Sequence, residues 1–313
     1  MTPSSALIAH HFNVSVARSH AGPRASVARE GLHHLPLTGG ITNRNYRVEV
    51  EGESFVLRLA GANTELLGID RPNEYAATLA AASIGVGPEV IYFIEPEGYL
   101  VTRFIVGRPI LPDEIRQPDN LRRVAQLLRN VHALPPIPGT FSPFRIVEDY
   151  DQLAREQGVT TFPENYPWLR ARLAEVEAAF LKEPFTPCLC HDDLLNENFL
   201  LDGHTNQLRL LDWEYAGMGD LFFDLANFSV NHNLADAEDQ ALLQAYFGDV
   251  TPRRFARQKL MKIISDFREA MWGVVQQGLS SLDYDFRAYA DKHFARMTQN
   301  FNDPRFTEWV NDF

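Results

Sequence analysis

A chain of 313 residues can bury a sizeable hydrophobic core, and this length predicts one large domain or two lobes. Its content of 45% hydrophobic and 22% charged residues is that of a globular protein and excludes a disordered one. The net charge of −12 argues against nucleic acid or an anionic membrane as a partner, because both attract basic surfaces. It is compatible with a cationic small-molecule substrate.

The sequence shows no signal-peptide pattern, and because no run of 18 apolar residues occurs in the chain, no membrane span is expected. Cys188 and Cys190 alternate with Leu189 in an apolar run. This pattern favours buried thiols in a reducing compartment over a disulfide framework. A cytoplasmic location is therefore predicted, and the oligomeric state is left open.

The N-terminal part has the pattern of an antiparallel sheet. Residues 1–33 form an extension of unknown role, and the residue pattern of the sequence changes from Leu35 onwards. One strand is predicted to end at Val50 and a second to cover residues 55–59. A glycine-rich segment precedes the first strand. Its backbone N–H groups could bind phosphate, and a simple tight turn is the alternative. Its residues are Gly39, Gly40, Ile41, Thr42 and Asn43.

A helix is predicted to follow, with Asp70 as N-cap, Pro72 in the first turn and Gly85 after its end. Arg58 in the middle of a strand and Glu74 early in this helix correspond to the strand–helix ion pair of kinases. A purely structural salt bridge is the alternative. Further strands are predicted over residues 88–94 and 99–105, so residues 35–106 form a mostly antiparallel sheet with one helix.

Beyond a predicted hinge at residues 106–109, the apolar periodicity is helical. The predicted fold class is α+β, with two lobes as in protein kinases: an N-terminal lobe over residues 1–106 and a larger, mainly helical lobe over residues 107–313. The helical segments are 121–131, 169–180, 221–230, 239–247, 253–277 and 286–301.

Between the helices, residues 190–201 and 210–215 flank a cluster of turn-forming residues and predict a β-hairpin. A turn centred near Thr205 would place Asn198 opposite Asp212. Two oxygen ligands at the open end of a hairpin suit Mg²⁺, which also binds phosphate oxygens. Asp193, five residues before Asn198, completes the H-x-D-L-x-x-x-N spacing of a kinase catalytic loop.

This interpretation of the hairpin has two alternatives. In the first, Asp and Asn serve only as turn residues and caps, as they often do in a polar loop between strands. In the second, His191, Asp192 and Asp193 form a hydrolytic metal site.

The ordered motifs between about residues 35 and 290 resemble those of the choline/ethanolamine kinases, within the aminoglycoside-phosphotransferase-like superfamily. The bacterial choline kinases are the most similar type. This resemblance implies a kinase that uses ATP and Mg²⁺ and phosphorylates the hydroxyl group of a small amino alcohol. The motifs are residues 39–43, 56–59, 69–71 with Glu74, 85–88, 191–198 and 212–217.

The resemblance also implies residue roles. Asp193 would be the catalytic base, Asn198 and Asp212 would hold Mg²⁺, and Asp224 would support the catalytic loop from within the core. The ATP site would comprise Gly39, Gly40, Thr42 and Asn43 around the phosphates, Arg58 braced by Glu74, and the backbone from Arg103 to Ile105 at the adenine.

For the acceptor, the eukaryotic choline kinases hold the quaternary ammonium among aromatic rings near an acidic residue. The matching segments keep Trp272 and Tyr289, place Glu269 at the second tryptophan position, and have Asn231 where the family has Glu. Together with Glu214, these four residues are the predicted substrate-binding set. Core packing is the alternative for the two aromatic residues.

Choline is ranked slightly ahead of ethanolamine as the acceptor. The alternatives are a phosphotransferase for an aminoglycoside or a thiamine-like alcohol, and a nucleotide-binding regulator without turnover.

Overall fold

An antiparallel sheet forms the N-terminal region of the computed structural model, which describes residues 33–37 and 43–312. Five strands of this sheet lie in the order β1-β2-β3-β5-β4. The first was not predicted from the sequence; it pairs along its whole length with the second. The strands are β1 (His33–Leu37), β2 (Arg44–Val50), β3 (Glu53–Leu59), β4 (Val90–Ile94) and β5 (Tyr99–Arg103).

The helix between β3 and β4 is α1 (Arg71–Ser83), as predicted. The Asp70 side chain accepts a hydrogen bond from the Asn73 N–H at 3.3 Å, which satisfies one free donor of the first turn. The chain leaves the helix through Gly85, whose φ of 69° is a left-handed conformation that glycine adopts without strain.

The rest of the described chain is mainly helical. The one-turn α2, together with α4 and α10, was not predicted. For α4 the signal was present, because Ser142 caps its N-terminus and Val147, Tyr150 and Ala154 recur at helical spacing on its buried face. The helices are α2 (Pro112–Ile115), α3 (Pro118–His132), α4 (Pro143–Glu156), α5 (Tyr166–Phe180), α6 (Leu221–Asn231), α7 (Asp236–Phe247), α8 (Pro252–Leu279), α9 (Phe286–Phe301) and α10 (Phe306–Asp312).

Helix α8 is the centre of this region and packs against α4, α6, α9 and α10. Its middle is buried on all sides, yet it contains the charged residues Asp266, Arg268 and Glu269. Buried charges require partners, so these three side chains have to be paired with groups on neighbouring elements. None of the described helices combines the length and hydropathy that a membrane span requires.

The predicted hairpin forms from β8 (Phe199–Asp202) and β9 (Leu208–Leu210), but its predicted register is wrong by one residue. Phe199 pairs with Leu210, and the Leu211 N–H donates to the Asn198 carbonyl at 2.9 Å. Asp212 therefore lies one position beyond the partner of Asn198. The cause is the turn, where the Asp202 carboxylate accepts the N–H groups of residues 204 and 205 and shifts the centre of the loop.

Three further short strands connect this hairpin to its surroundings: β6 (Gly107–Pro109), β7 (Cys188–Cys190) and β10 (Gly217–Gly219). The predicted hinge contains β6, which pairs with β8, while β7 pairs with β10. The two cysteines are free thiols. The predicted α+β architecture is confirmed, whereas the division of the chain at residue 106 stays a prediction.

Candidate active site

Asp193 lies on the loop between β7 and β8, with 8% of its surface exposed. The Asn198 amide nitrogen donates to the Asp193 carbonyl at 2.8 Å, which ties the two ends of the loop together. Arg268 Nη1 lies 3.3 Å from Asp193 Oδ1. Burial raises the pKa of the Asp193 carboxyl to about 7, although Arg268 acts in the opposite direction.

Asp224, which has no exposed surface, anchors this loop from within the core. Its carboxylate accepts the backbone N–H groups of His191 at 2.9 Å and Asp192 at 2.8 Å, and it bonds His132 Nε2 at 3.0 Å. Burial alone would raise the pKa of Asp224, but these hydrogen bonds hold it below its ordinary value. The predicted role of Asp224 as a buried support for the loop is confirmed.

His191 and Asn227 add two further ties. His191 Nε2 bonds the Leu211 carbonyl at 2.9 Å, and its ring meets Trp213 edge to face at 4.7 Å. The Leu194 N–H donates to Asn227 Oδ1 at 2.6 Å. The loop is thus held to the hairpin on one side and to α6 on the other.

Arg58 joins the sheet to this loop region. Its Nη1 lies 2.5 Å from Glu74 Oε1, so the predicted contact between strand and helix is confirmed. Its Nη2 pairs with Asp212 Oδ1, and Glu214 Oε2 lies 3.8 Å away. One guanidinium therefore connects β3, α1 and the segment after β9.

Glu214 was predicted to bind substrate, but the structure places it against the N-terminal sheet. It accepts hydrogen bonds from Asn43 Nδ2 at 2.7 Å and from Arg71 Nη1 at 3.3 Å, and Arg71 Nη2 donates in turn to Asn43 Oδ1 at 2.8 Å. Burial, reinforced by Asp212, raises the pKa of Glu214 to about 7. Arg71 and Asn43 thus hold Glu214 at the sheet, and its role in substrate binding stays a prediction.

Three of the other predicted substrate residues meet around α8 and α9, in what we call the Glu269 cluster (Glu269, Trp272 and Tyr289). The Tyr289 hydroxyl donates to Glu269 Oε2 at 2.6 Å, and the rings of Trp272 and Tyr289 are 5.5 Å apart at 69°. Burial would raise the pKa of Glu269, but Arg268 and other partners hold it below its ordinary value. Asn231 reaches the cluster only indirectly, through Asn227.

The predicted adenine segment follows β5. The Arg103 side chain is on the surface, paired with Glu53 and Glu89, and the Phe104 N–H donates to the Ser54 carbonyl at 3.0 Å. Within the described ranges, no hydrogen-bond partner is found for the Ile105 backbone N–H. Of the predicted phosphate loop, Gly39, Gly40 and Thr42 lie outside the described residues.

A hydrolytic metal site made of His191, Asp192 and Asp193 gains no support. In the described parts of the chain, Asp192 groups with Cys190 and Asp224, whereas His191, Asp192 and Asp193 do not bring three ligand atoms together. Asp192 is fully buried, and burial raises its pKa well above the ordinary value, which favours the neutral acid.

Sequence reasoning missed Arg268, Arg71 and Asn227, which link the predicted residues to one another. Arg268 donates to Glu269 Oε1 at 2.8 Å as well as contacting Asp193, so it joins the Glu269 cluster to the loop. A signal was present, because Arg268 and Glu269 lie between apolar residues of the predicted helix, and charged groups buried there have to be paired.

The two-lobed fold and the residues at its junction are those of a kinase-like phosphotransferase. A model of the phosphotransferase enzyme family matches residues 33–258. A choline/ethanolamine kinase family protein from Mesorhizobium loti has a crystal structure that matches with a TM-score of 0.78 and 30% identity, covering 96% of this chain and 98% of that one. The chain belongs to the phosphotransferase enzyme family and, within it, to the choline/ethanolamine kinase family, as the sequence motifs predicted.

More distant relatives agree with this assignment. Human ethanolamine kinase 2 is 28% identical over 282 residues, which is 81% of this chain and 72% of that protein. The choline kinase LicA from Streptococcus pneumoniae shares the fold, with a TM-score of 0.71 and 24% identity over 85% of this chain and 93% of that one. A structure of LicA in complex with AMP is also similar in fold.

Replacing Arg58 by Lys is expected to raise the KM for ATP about 10- to 100-fold. Lysine keeps the charge but loses the planar fork that now serves Glu74 and Asp212 at once. Steady-state kinetics with varied ATP would measure the effect. Arg155→Lys, which alters a surface pair with Asp151, is the control. An unchanged KM for ATP would reduce Arg58 to a scaffold residue.

Proposed function

We propose that this protein is an ATP- and Mg²⁺-dependent kinase that phosphorylates the hydroxyl group of a small amino alcohol, with choline or ethanolamine as the first candidates. The observation that carries the proposal is the continuous contact from Asp193 through Arg268 to Glu269. It places a group able to accept a hydroxyl proton beside a carboxylate with two aromatic neighbours, which are the features that an amino alcohol requires.

The nucleotide would lie between the sheet and the hairpin. Arg58 faces this junction and can offset phosphate charge through paired hydrogen bonds. The Ile105 N–H after β5, for which the described residues offer no hydrogen-bond partner, can donate to an adenine nitrogen, as predicted for the backbone from Arg103 to Ile105. LicA, a protein of the same fold, has been crystallised in complex with AMP, which supports the binding of a nucleotide.

The residues present fit a magnesium ion. Because the Asn198 amide nitrogen donates to the Asp193 carbonyl, its oxygen is turned away from that bond, and Asp212 adds a carboxylate that is 26% exposed. These are the hard oxygen ligands that Mg²⁺ prefers. Bound there, the ion would offset the negative charge of the ATP phosphates. Asn198 and Asp212 would hold it, and Arg58 would orient Asp212.

The acceptor hydroxyl would donate its hydrogen bond to Asp193, which takes up the proton as the phosphoryl group is transferred. Asp224 and Asn227 contribute by fixing the backbone of the loop, so that Asp193 is positioned before the substrate arrives. The Glu269 cluster would hold the ammonium group. A cytoplasmic location stays part of the prediction.

An ADP-release assay with purified protein, Mg·ATP and a panel of alcohols tests this function. The panel contains choline, ethanolamine, an aminoglycoside and a thiamine-like alcohol. ADP release that depends on choline or ethanolamine is the expected result. Turnover only with one of the other two would replace the proposed acceptor. ATP binding without turnover on any of them would favour the nucleotide-binding regulator.

In the same assay, Trp272→Ala is expected to lower kcat/KM for choline by about 30-fold, because an aromatic face binds the weakly hydrated trimethylammonium group. Ethanolamine, which can donate N–H hydrogen bonds to Glu269 instead, should be affected far less. Trp168→Ala removes a tryptophan that packs on Phe301, away from the cluster, and serves as the control. Unchanged kcat/KM for both amines would show that Trp272 does not bind the ammonium group.

A further inference from the structure

The two cysteines of the chain lie side by side behind the loop that carries Asp193. Cys188 and Cys190 are the first and last residues of β7, and because side chains alternate along a strand, both point to the same face. Their Sγ atoms are 3.8 Å apart, and both are free thiols. Cys190 has no exposed surface, whereas Cys188 is partly exposed. Neither thiol takes part in the proposed phosphoryl transfer.

An imidazole meets the two thiols from the neighbouring helix. His132 is the last residue of α3, which packs against β7, and one of its ring nitrogens and the two sulfur atoms lie within 4.8 Å of one another. Its Nε2 bonds Asp224 Oδ2 at 3.0 Å, and its Nδ1 bonds the Tyr246 hydroxyl at 2.7 Å. Two thiolates and one imidazole are a ligand set that proteins use for Zn²⁺, with a fourth position left for water.

The spacing of the two sulfur atoms suits a metal ion rather than a disulfide. Two thiolates bound to one tetrahedral Zn²⁺ at ~2.3 Å each are ~3.8 Å apart, which is the separation of these two Sγ atoms. A disulfide needs sulfur atoms ~2.05 Å apart and Cα atoms no more than ~6.8 Å apart. Residues two apart on a strand have Cα atoms ~6.6–6.8 Å apart, at this upper limit, so closing a disulfide would distort β7.

The thiol pair can be reached from solvent. Cys188 is partly exposed, and its partner on β10 is Gly219, which brings no side chain over the thiols. A cavity of about 480 Å³, with Thr186 and Asp220 in its lining, opens at the end of the two strands that Cys188 and Gly219 occupy. An ion can therefore enter from this side and keep one water molecule as its fourth ligand.

We propose that Cys188, Cys190 and His132 bind one thiophilic divalent metal ion, with Zn²⁺ as the first candidate. Both thiols would release their protons to solvent on binding, and the ion would replace the Tyr246 hydroxyl at Nδ1 of the imidazole. The Nε2 bond to Asp224 would remain, because the second nitrogen of a metal-bound histidine usually donates to a carboxylate or carbonyl. The ion would tie α3 to β7 directly before the loop, and the inference does not depend on the proposed kinase function.

Cobalt tests the site, because Co²⁺ bound by thiolates absorbs light through charge transfer from sulfur, which histidine and carboxylate sites elsewhere in the chain cannot produce. Titration of the reduced, metal-free full chain with Co²⁺ should give this absorption together with the visible bands of tetrahedral Co²⁺. Both signals are expected to saturate at one ion per chain. Zn²⁺ should then displace the cobalt and abolish them, because thiolate ligands select zinc.

Variants identify the ligands. Cys188→Ala and His132→Gln should each weaken Co²⁺ binding at least about 10-fold, since the loss of even an outer partner of a metal ligand costs about 10- to 100-fold. His204→Gln is the matched control, because it makes the same change at an exposed histidine of the hairpin turn and should leave the affinity unchanged. Thermal unfolding without metal verifies that each variant is folded. Zn²⁺ should raise the unfolding temperature of the wild type, and this rise should be smaller in Cys188→Ala.

The outcomes decide for or against the site. A wild-type protein without charge-transfer absorption would overturn the inference, and an intact mass lower by two hydrogen atoms would then assign the thiol pair to a disulfide. Unchanged affinity in folded His132→Gln or in Cys188→Ala would also overturn it. Cys188→Ala decides alone if His132→Gln does not fold. Because ADP release is not among the measurements, failure of the kinase function would leave this result untouched.

Discussion

Asp193→Asn is expected to lower kcat about 10²- to 10⁴-fold while Mg·ATP binding persists. Asparagine has the size of aspartate, and the backbone carbonyl that accepts from Asn198 is unchanged, so the loop keeps its shape. The amide cannot take up the hydroxyl proton. Steady-state kinetics gives the loss in kcat, and calorimetric titration with Mg·ATP measures binding.

Asp192→Asn is the matched control, because it makes the same chemical change one residue earlier. The Asp192 side chain is fully buried, and burial raises its pKa well above the ordinary value, so an amide replaces a group that already favours its neutral form. Its kcat should stay close to that of the wild type. Near-normal kcat in Asp193→Asn would remove Asp193 from the mechanism.

The sequence predicted the site best where its residues lie close together in the chain. The spacing from His191 to Asn198 predicted a loop followed by a strand, and Arg58 and Glu74 were expected to meet because strand, turn and helix follow one another closely. Both features occur in the structure. Both patterns depend on few residues that lie close together in the sequence.

Where the sequence was less informative, the deciding contacts were hydrogen bonds that residue spacing does not reveal. The register of the hairpin depended on the hydrogen bonds of Asp202 within the turn, which spacing alone does not reveal. Glu214 was predicted to bind substrate, and its contacts with Arg71 and Asn43, which lie more than 140 residues earlier, could not be foreseen from the sequence. The links made by Arg268 also required three-dimensional information, since Asp193 is 75 residues away from it.

Asp224→Ala is expected to lower the free energy of unfolding by about 3–5 kcal/mol, the range for a broken buried charge pair. The change leaves the N–H groups of His191 and Asp192 and the ring nitrogen of His132 without their acceptor. Urea titration measures the stability. Because two of the three donors belong to the loop that carries Asp193, kcat of the folded fraction should fall as well.

Asp239→Ala separates the two effects. Asp239 is also fully buried in the helical region, where its carboxylate pairs with Lys262 Nζ at 2.7 Å and accepts from Ser229, but it does not touch the loop. Replacing Asp239 should lower the free energy of unfolding by a similar amount and leave kcat unchanged.

The acid dependence of the stability provides a further check on Asp224. Its folded pKa is depressed, so its stabilisation is present above the ordinary aspartate value near 3.9 and is lost as pH falls through the folded pKa. In Asp224→Ala this part of the acid destabilisation should disappear. A normal kcat in this variant would show that Asp224 is a core residue with no part in positioning Asp193.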